Sequence, residues 1–268
     1  MWSVKFSATA RCVIMLMSLW GAPVTIAKAQ AAKLTPADLD RIGRRIWKNE
    51  CDGTVDGLTS WNTGENFASL GIGHFIWYPK GVEGPFEESF PRLVAWFRQH
   101  DVGLPKWLQT QKYCPWPDKK SFERDHDGER QKELRSLLSK TLREQTNFII
   151  HRLNEATPKY REAAGSASKK VEQTIAALSQ SAAGNFAMID YINFKGDGIN
   201  PKERYNGQGW GLHQVLMDMP DSDADTAPAH FAEAAKRVLS RRVQNSPPER
   251  GEKRWLPGWH SRCDAYRK

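Results

Sequence analysis

Apolar residues recur at helical spacing near the start of the chain, directly after a helix-initiation signal. Thr35 and Pro36 fit the N-cap and the first helical position, respectively. Leu39, Ile42 and Ile46 then follow at i, i+3 and i+7, which makes one apolar stripe. The pattern predicts a helix whose apolar side extends to Glu50, four residues beyond Ile46.

The helical pattern returns after residue 85 in four further segments. Each has apolar residues three or four positions apart, and the third segment is apolar on nearly all sides. We therefore predict one helix around Leu93–Phe97, a longer one over Leu134–Leu153, a third over Val171–Ile192 and a last amphipathic helix over Phe231–Val243.

Residues 53–83 have a different character, because six glycines separate short runs that contain Thr, Trp, Leu, Ile and Phe. Glycines spaced in this way are typical of turns between short strands. The chain as a whole is therefore predicted to have an α+β fold that is mostly helical, with one small β-region packed against a helical lobe.

Residues 1–31 have the features of a secretory signal peptide. Lys5 and Arg11 precede an apolar run, and Ala27-Lys28-Ala29 and Ala29-Gln30-Ala31 are candidate cleavage sites. The run is short and is interrupted by Gly21 and Pro23, so a membrane anchor is the weaker alternative. We expect residues 32–268 to form one secreted or periplasmic catalytic domain without stable membrane insertion.

The net charge favours a partner with anionic groups. The whole chain carries +8, and residues 1–31 contribute three of those charges, which leaves +5 for residues 32–268. A cell wall, a membrane surface or nucleic acid would fit this charge. The basic residues are scattered and form no stripe with interleaved aromatics, so we do not expect a nucleic-acid partner.

Three cysteines remain after the predicted signal peptide: Cys51, Cys114 and Cys263. Export makes one disulfide plausible. We expect Cys51 to pair with Cys114 or Cys263, with Cys263 slightly favoured. The cysteine spacing fits no zinc template and the histidines suggest no metal pair, so no metal or other cofactor is predicted.

Glu50 is the first candidate for chemistry, because it ends an amphipathic helix on the apolar side. A carboxyl group among apolar neighbours has a raised pKa and can act as a general acid near neutral pH. The alternative is a surface glutamate that ends the helix and forms a salt bridge.

The segment Ser69-Leu70-Gly71-Ile72-Gly73-His74 resembles the Thr-Ile-Gly-Tyr-Gly-His motif of phage-type lysozymes, which follows a helix that ends in the catalytic Glu. The resemblance covers about 40 residues. It implies a lysozyme-like fold, Glu50 as the acid, and Ser69 as the hydroxyl that positions water. It also implies cleavage of the β-1,4 bond between N-acetylmuramic acid and N-acetylglucosamine, in a cleft between the β-region and the helical lobe.

The chain departs from the phage-type pattern at the second carboxylate. Thr63 is nearest to that position and Glu65 follows two residues later, while the interval from Glu50 to Ser69 is longer than in the phage enzymes. We predict Glu65 as the water-activating group. His74 is a candidate for substrate binding, or for holding the shape of the hairpin.

A second motif, Gly211-Leu212-His213-Gln214, resembles the Gly-Leu-Met-Gln motif of lytic transglycosylases. It follows Glu50 by some 160 residues, whereas in those enzymes it comes soon after the catalytic Glu, and Glu203 just before it is a competing acid. Aromatic rings often stack on sugars. The aromatic candidates for substrate binding are therefore Trp61, Trp77, Tyr78 and Trp210. Gln214 of the second motif and His74 are the other candidates.

Taken together, the sequence predicts a peptidoglycan-cleaving glycosidase, a muramidase. Three alternatives stay open: a lytic transglycosylase, a wall-binding protein that has lost catalysis on the same fold, and a hydrolase directed at chitin or chitosan.

Overall fold

The computed structural model describes residues 34–84 and 86–268, so the predicted signal peptide lies outside the described residues. The described chain is mostly helical with one small antiparallel sheet, which confirms the predicted α+β class. Within these residues, no helix combines the length and the hydrophobicity required to cross a bilayer. The helices are α1 (Pro36–Cys51), α2 (Phe90–Gln99), α3 (Lys106–Thr110), α4 (Lys119–Arg124), α5 (Glu129–Lys140), α6 (Leu142–Ala164), α7 (Ser168–Leu178), α8 (Ala182–Lys195), α9 (Leu212–Asp218), α10 (Ala227–Asn245) and α11 (Leu256–Asp264).

The first helix begins where the sequence predicts. The Asp38 amide donates to the Thr35 hydroxyl at 3.2 Å, and the Thr35 amide donates to the Asp38 carboxylate at 2.9 Å, which completes a capping box. Ile42 and Ile46 are buried on the predicted stripe. The helix ends beside Asp52, whose left-handed backbone turns the chain towards the sheet.

The sheet has three short strands, β1 (Thr59–Ser60), β2 (Ala68–Leu70) and β3 (Phe75–Trp77), in the antiparallel order β1-β2-β3. Gly71 follows β2 with φ of 71°, and a Cβ there would lie 2.4 Å from the Gln145 side-chain oxygen. The turn after β2 therefore requires glycine at this position. The predicted small β-region is confirmed.

Two of the predicted helices are each divided in two. The segment over residues 134–153 breaks at Thr141, whose amide bonds back to Leu138 and so ends α5. The segment over residues 171–192 breaks before Ser181, whose hydroxyl caps α8 through the Gly184 amide at 3.0 Å. Ser181 is a side-chain N-cap, whereas Thr141 makes no side-chain cap bond, and apolar periodicity alone does not reveal either break.

The helix over residues 231–243 is part of α10, but it is not the last helix. Helix α11 follows and packs against α10. Its sequence has little apolar periodicity, and Cys263 is its one fully buried residue. The apolar core is continuous through the helices and the sheet: α1 packs on α6, α8 packs on α6 and α10, and β3 packs on α2.

The predicted disulfide is wrong. Cys51, Cys114 and Cys263 are all buried free thiols, and burial raises the pKa of each to about 12. They lie at separate positions. Cys51 ends α1, Cys114 lies in a loop where its amide donates to the Tyr78 carbonyl at 3.0 Å, and Cys263 is on the interior face of α11. Each thiol is packed as a small apolar group.

Candidate functional site

A cleft of about 600 Å³, here called the central cleft, lies between the sheet region and the C-terminal end of α8. Glu65, His74 and Ile76 line it from the sheet side. On the helical side it is lined by α8 and the loop that follows, through Asn193, Lys195, Asp197 and Glu203, with Arg152, Trp210 and Arg242 beside them.

Glu50 lies directly behind the wall of this cleft. Its Oε1 accepts from Arg262 Nη2 at 2.6 Å and from Asn193 Nδ2 at 3.5 Å, and its Oε2 lies 3.5 Å from His74 Nδ1. Asn193 and His74 both line the cleft. The prediction that Glu50 has apolar neighbours is wrong, because its closest partners are a cation, an amide and an imidazole.

Arg262 ties Glu50 to a second carboxylate, Asp190, which is fully buried in α8. Arg262 Nε and Nη2 each donate to Asp190 at 2.8 Å, and the Tyr266 hydroxyl donates to Asp190 Oδ2 at 2.6 Å. Burial alone would lower the pKa of Arg262, but Asp190 and Glu50 raise it well above its ordinary value. The guanidinium is therefore a fixed charge between the two carboxylates.

His74 is held in an unusual conformation at the edge of the cleft. Its φ is 47°, which a residue with a Cβ seldom adopts. The preceding Gly73 has no room for a side chain, since a Cβ there would lie 2.6 Å from Asn193 Oδ1. Burial lowers the pKa of His74 despite the opposing effect of Glu50, so its ring is largely neutral at pH 7.

Asn193 has an unused acceptor at the same place. Its Oδ1 is buried and has no hydrogen-bond partner among the described residues, while its Nδ2 faces Glu50. Buried polar atoms are usually paired. This oxygen is therefore an unsatisfied acceptor that lies beside Gly73, at the wall of the cleft.

Within the described part of the chain, four carboxyl side chains line the cleft, those of Glu65, Glu87, Asp197 and Glu203, and two of them have raised pKa values. Burial raises the pKa of Glu65, against hydrogen bonds from Asn62 that lower it. Burial and the charge of Asp197 raise the pKa of Glu203, against a hydrogen bond from Asn200. Carboxyl groups with raised pKa values can donate protons closer to neutral pH than ordinary ones.

The raised pKa of Glu203 gives a prediction for stability. The folded state binds this proton more tightly than the unfolded chain, so the contribution of Glu203 to stability is lost as pH rises from its ordinary pKa of 4.5 through the raised folded value. We expect Glu203→Gln to be stabilised relative to wild type at pH 8 more than at pH 4. Thermal unfolding at both pH values measures the difference, with the exposed Glu162→Gln as the control for removal of a carboxyl group. An equal change at both pH values would contradict the prediction.

Of the predicted site residues, Glu65, His74 and Trp210 line the central cleft, and Glu50 contacts its wall. Trp210 packs on Tyr205 with ring centroids 4.5 Å apart, and the Arg242 guanidinium lies 4.2 Å from its ring. Ser69 is not brought to the cleft. It is buried within β2, paired with Ser60 and Ile76 on the neighbouring strands.

The remaining aromatic candidates belong to the core rather than to the cleft lining. Trp61 packs on Phe122, and its Nε1 donates to the Glu65 carbonyl at 2.8 Å, which supports the backbone of Glu65. Trp77 is buried against Phe90, and the Tyr78 hydroxyl donates to the Phe86 carbonyl at 3.4 Å. None of the three lines the central cleft, while Trp77 and Tyr78 line two other, smaller pockets, so their role as sugar-binding residues stays a prediction.

Gln214 also has a structural role. Its Oε1 accepts from the Gly211 amide at 2.9 Å, and its Nε2 donates to the Gly198 carbonyl at 3.0 Å. A Cβ on Gly211 would lie 2.2 Å from the Gly198 amide nitrogen, so the two glycines let the loops touch. The Gly-Leu-x-Gln motif therefore joins the start of α9 to the loop after α8.

The sequence interpretation assigned no role to Asp190, Asn193, Lys195 or Arg262. Asp190 gave one usable signal, a charged residue within the otherwise apolar run of α8. Arg262 gave none, because it lies in a polar segment far along the chain. Among the described residues, no group of three potential ligands could hold a metal ion.

Comparison of the chain with protein-family models, with curated proteins and with solved structures finds no match.

Proposed function

We propose that this protein is a lysozyme-like glycosidase that acts outside the cytoplasm and cleaves the β-1,4 bond between N-acetylmuramic acid and N-acetylglucosamine in peptidoglycan. The proposal rests on one observation: carboxyl groups with different surroundings lie in or directly next to a single cleft. Glu65 and Glu203 face it with raised pKa values, and Glu50 stands behind it in an ion pair with Arg262. Glycoside cleavage commonly uses two carboxyl groups in different roles.

The surroundings favour an exchange of the roles that the sequence suggests for Glu50 and Glu65. Glu65, with its raised pKa, is the better proton donor to the leaving oxygen. Glu50 is held by Arg262 next to His74, just behind the cleft wall, where a fixed carboxylate can stabilise the positive charge that develops on the sugar. Asn193 contacts Glu50 and also lines the cleft, so it connects Glu50 to the wall that a substrate would meet.

We expect Glu65→Gln to lower wall cleavage by about a hundredfold or more, since positioned proton transfer contributes that much. As the donor, Glu65 would matter less for a substrate whose leaving group needs no proton. The variant should therefore retain most of its rate on a dinitrophenyl glycoside, while Glu50→Gln should lose rate on both substrates. Equal losses of the Glu65 variant on both would contradict its role as donor.

The products decide between the proposed hydrolase and a lytic transglycosylase. Digestion of purified peptidoglycan followed by mass spectrometry should give reducing muropeptides, because water completes the reaction. Release of 1,6-anhydro products would instead identify a transglycosylase.

A second candidate function is a wall-binding protein without catalysis. The ion pair at Glu50 favours it, because a carboxylate held by Arg262 and set behind the cleft wall could have a structural role alone. A zymogram on purified walls separates the two. A binder would sediment with the walls and release no fragments.

A further inference from the structure

Three cations share one pair of aromatic rings at the end of α8. The Lys195 ammonium lies 3.6 Å from the centroid of Trp259 and 4.0 Å from that of Phe194. The Arg262 guanidinium lies 4.0 Å from the Phe194 ring, and that of Arg242 lies 5.3 Å from the Trp259 ring. Of these three cations, Lys195 and Arg242 line the central cleft, which is also lined by the carboxyl side chains of Glu65, Glu87, Asp197 and Glu203.

The two arginines are neutralised within the protein, and the lysine is not. Arg242 donates twice to the buried Glu252, at 2.8 Å each, and Arg262 is bound by Asp190 and Glu50. Throughout residues 34–84 and 86–268, Lys195 has no carboxylate within 4.0 Å and no hydrogen-bond acceptor. Burial, together with the charges of Arg242 and Arg262, lowers its pKa well below the ordinary value.

A second cation of the cleft wall is only loosely paired. Arg152 lines the cleft, and its nearest carboxylate oxygen is Glu87 Oε2 at 3.9 Å. Poorly solvated charges that lack a close partner are unfavourable, and an incoming opposite charge relieves that cost. Arg242 is already paired with Glu252, so Lys195 and Arg152 are, among the residues described, the lining cations without a close carboxylate partner.

We infer that the central cleft binds a glycan bearing a carboxylate, that Lys195 donates to that carboxylate, and that Arg152 contributes a second positive charge. The glycan part of this inference rests on the proposed function, and the carboxylate part rests on the unpaired cations. In a wall polymer the matching group is the lactyl carboxyl of muramic acid or a carboxyl of its peptide. A neutral chitin chain offers no such partner, and the amines of chitosan would be repelled by Lys195.

The test compares two ligands of similar size that differ mainly in the carboxylate. Isothermal titration would measure the binding of N-acetylglucosaminyl-N-acetylmuramic acid and of the neutral N-acetylglucosamine disaccharide at neutral pH. We expect wild type to prefer the acidic disaccharide by about tenfold or more, as charge-assisted hydrogen bonds provide. Lys195→Met should remove most of this preference, because the acidic disaccharide loses a charged partner and the neutral one does not.

Lys112→Met is the matched control, because the Lys112 ammonium also lies over an aromatic ring, 5.2 Å from that of Tyr113, but Lys112 does not line the central cleft. Its preference should equal that of wild type. Lys195→Arg, which retains the charge, should keep a measurable part of the preference, and Arg152→Met should reduce it. These two variants keep the inference testable if Lys195→Met fails to fold.

Three outcomes would overturn the inference: equal binding of the two disaccharides by wild type, tighter binding of a chitosan oligomer, or an unchanged preference in the variants of Lys195 and Arg152. Because binding requires no bond cleavage, the titration tests this inference independently of the proposed function. A protein that cleaves no wall and yet shows the Lys195-dependent preference upholds the inference alone. A wall-cleaving enzyme without the preference refutes it and leaves the proposed function standing.

Discussion

Glu50→Gln is expected to lower the rate of peptidoglycan cleavage by about a hundredfold or more while leaving the protein folded. Glutamine keeps the shape of the side chain and can still accept from Arg262, but it carries no charge to act on the substrate. Arg262 remains paired with Asp190 by two bonds of 2.8 Å, so no cation is left without a partner. The loss should therefore be in turnover and not in stability.

The decrease in turbidity of purified walls measures the rate, and circular dichroism reports the fold. Glu162→Gln is the control, because Glu162 is exposed in the last turn of α6, and its rate should match that of wild type. Near-normal activity of Glu50→Gln would refute a catalytic role for Glu50. Glu203, which faces the same cleft with a raised pKa, would then be the next candidate.

Asp190→Ala is expected to lower the free energy of unfolding by about 3–5 kcal/mol, because it removes one partner from a buried ion pair. Asp190 is fully buried, and the side chain of Arg262 is 10% exposed. The substitution leaves the guanidinium with Glu50 alone and removes the acceptor of the Tyr266 hydroxyl. Denaturant unfolding followed by tryptophan fluorescence measures the change.

A surface pair of similar geometry provides the control. Arg143 donates to both oxygens of Asp40, at 2.9 and 2.7 Å, and both side chains are substantially exposed. Such pairs contribute about 0–1 kcal/mol, so Asp40→Ala should have a small effect. If the two substitutions destabilise the protein equally, the burial of Asp190 is not what makes its pair important.

The parts of the fold that follow from local signals could be predicted from the sequence. The capping box and apolar stripe of α1, and the glycine-punctuated β-region, depend on residues close together in the chain. The breaks at Thr141 and before Ser181 fall within continuous apolar patterns, so periodicity does not detect them. Helix α11 was missed because it buries so little apolar surface.

The candidate site was predictable on the sheet side and not on the helical side. Glu65 and His74 belong to the glycine-rich segment that the sequence singles out, and both reach the cleft. The sequence singles out Glu50 but does not reveal its ion pair, because Arg262 lies 212 residues away in the chain. Whether an aromatic ring faces a cleft or a core is decided by tertiary packing, which explains why Trp210 lines the cleft and Trp77 is buried against Phe90.

The link from Glu50 to Arg262 also has a consequence for how the protein reaches its native state. Contacts between residues far apart in the chain close large loops, and a high proportion of them slows folding. Until α11 docks, Asp190 lies in an apolar helix without its counterion, so compact intermediates that lack this helix are electrostatically disfavoured. Docking of α11 should therefore coincide with formation of the compact state, and the contacts of Glu50 should be completed in the same step.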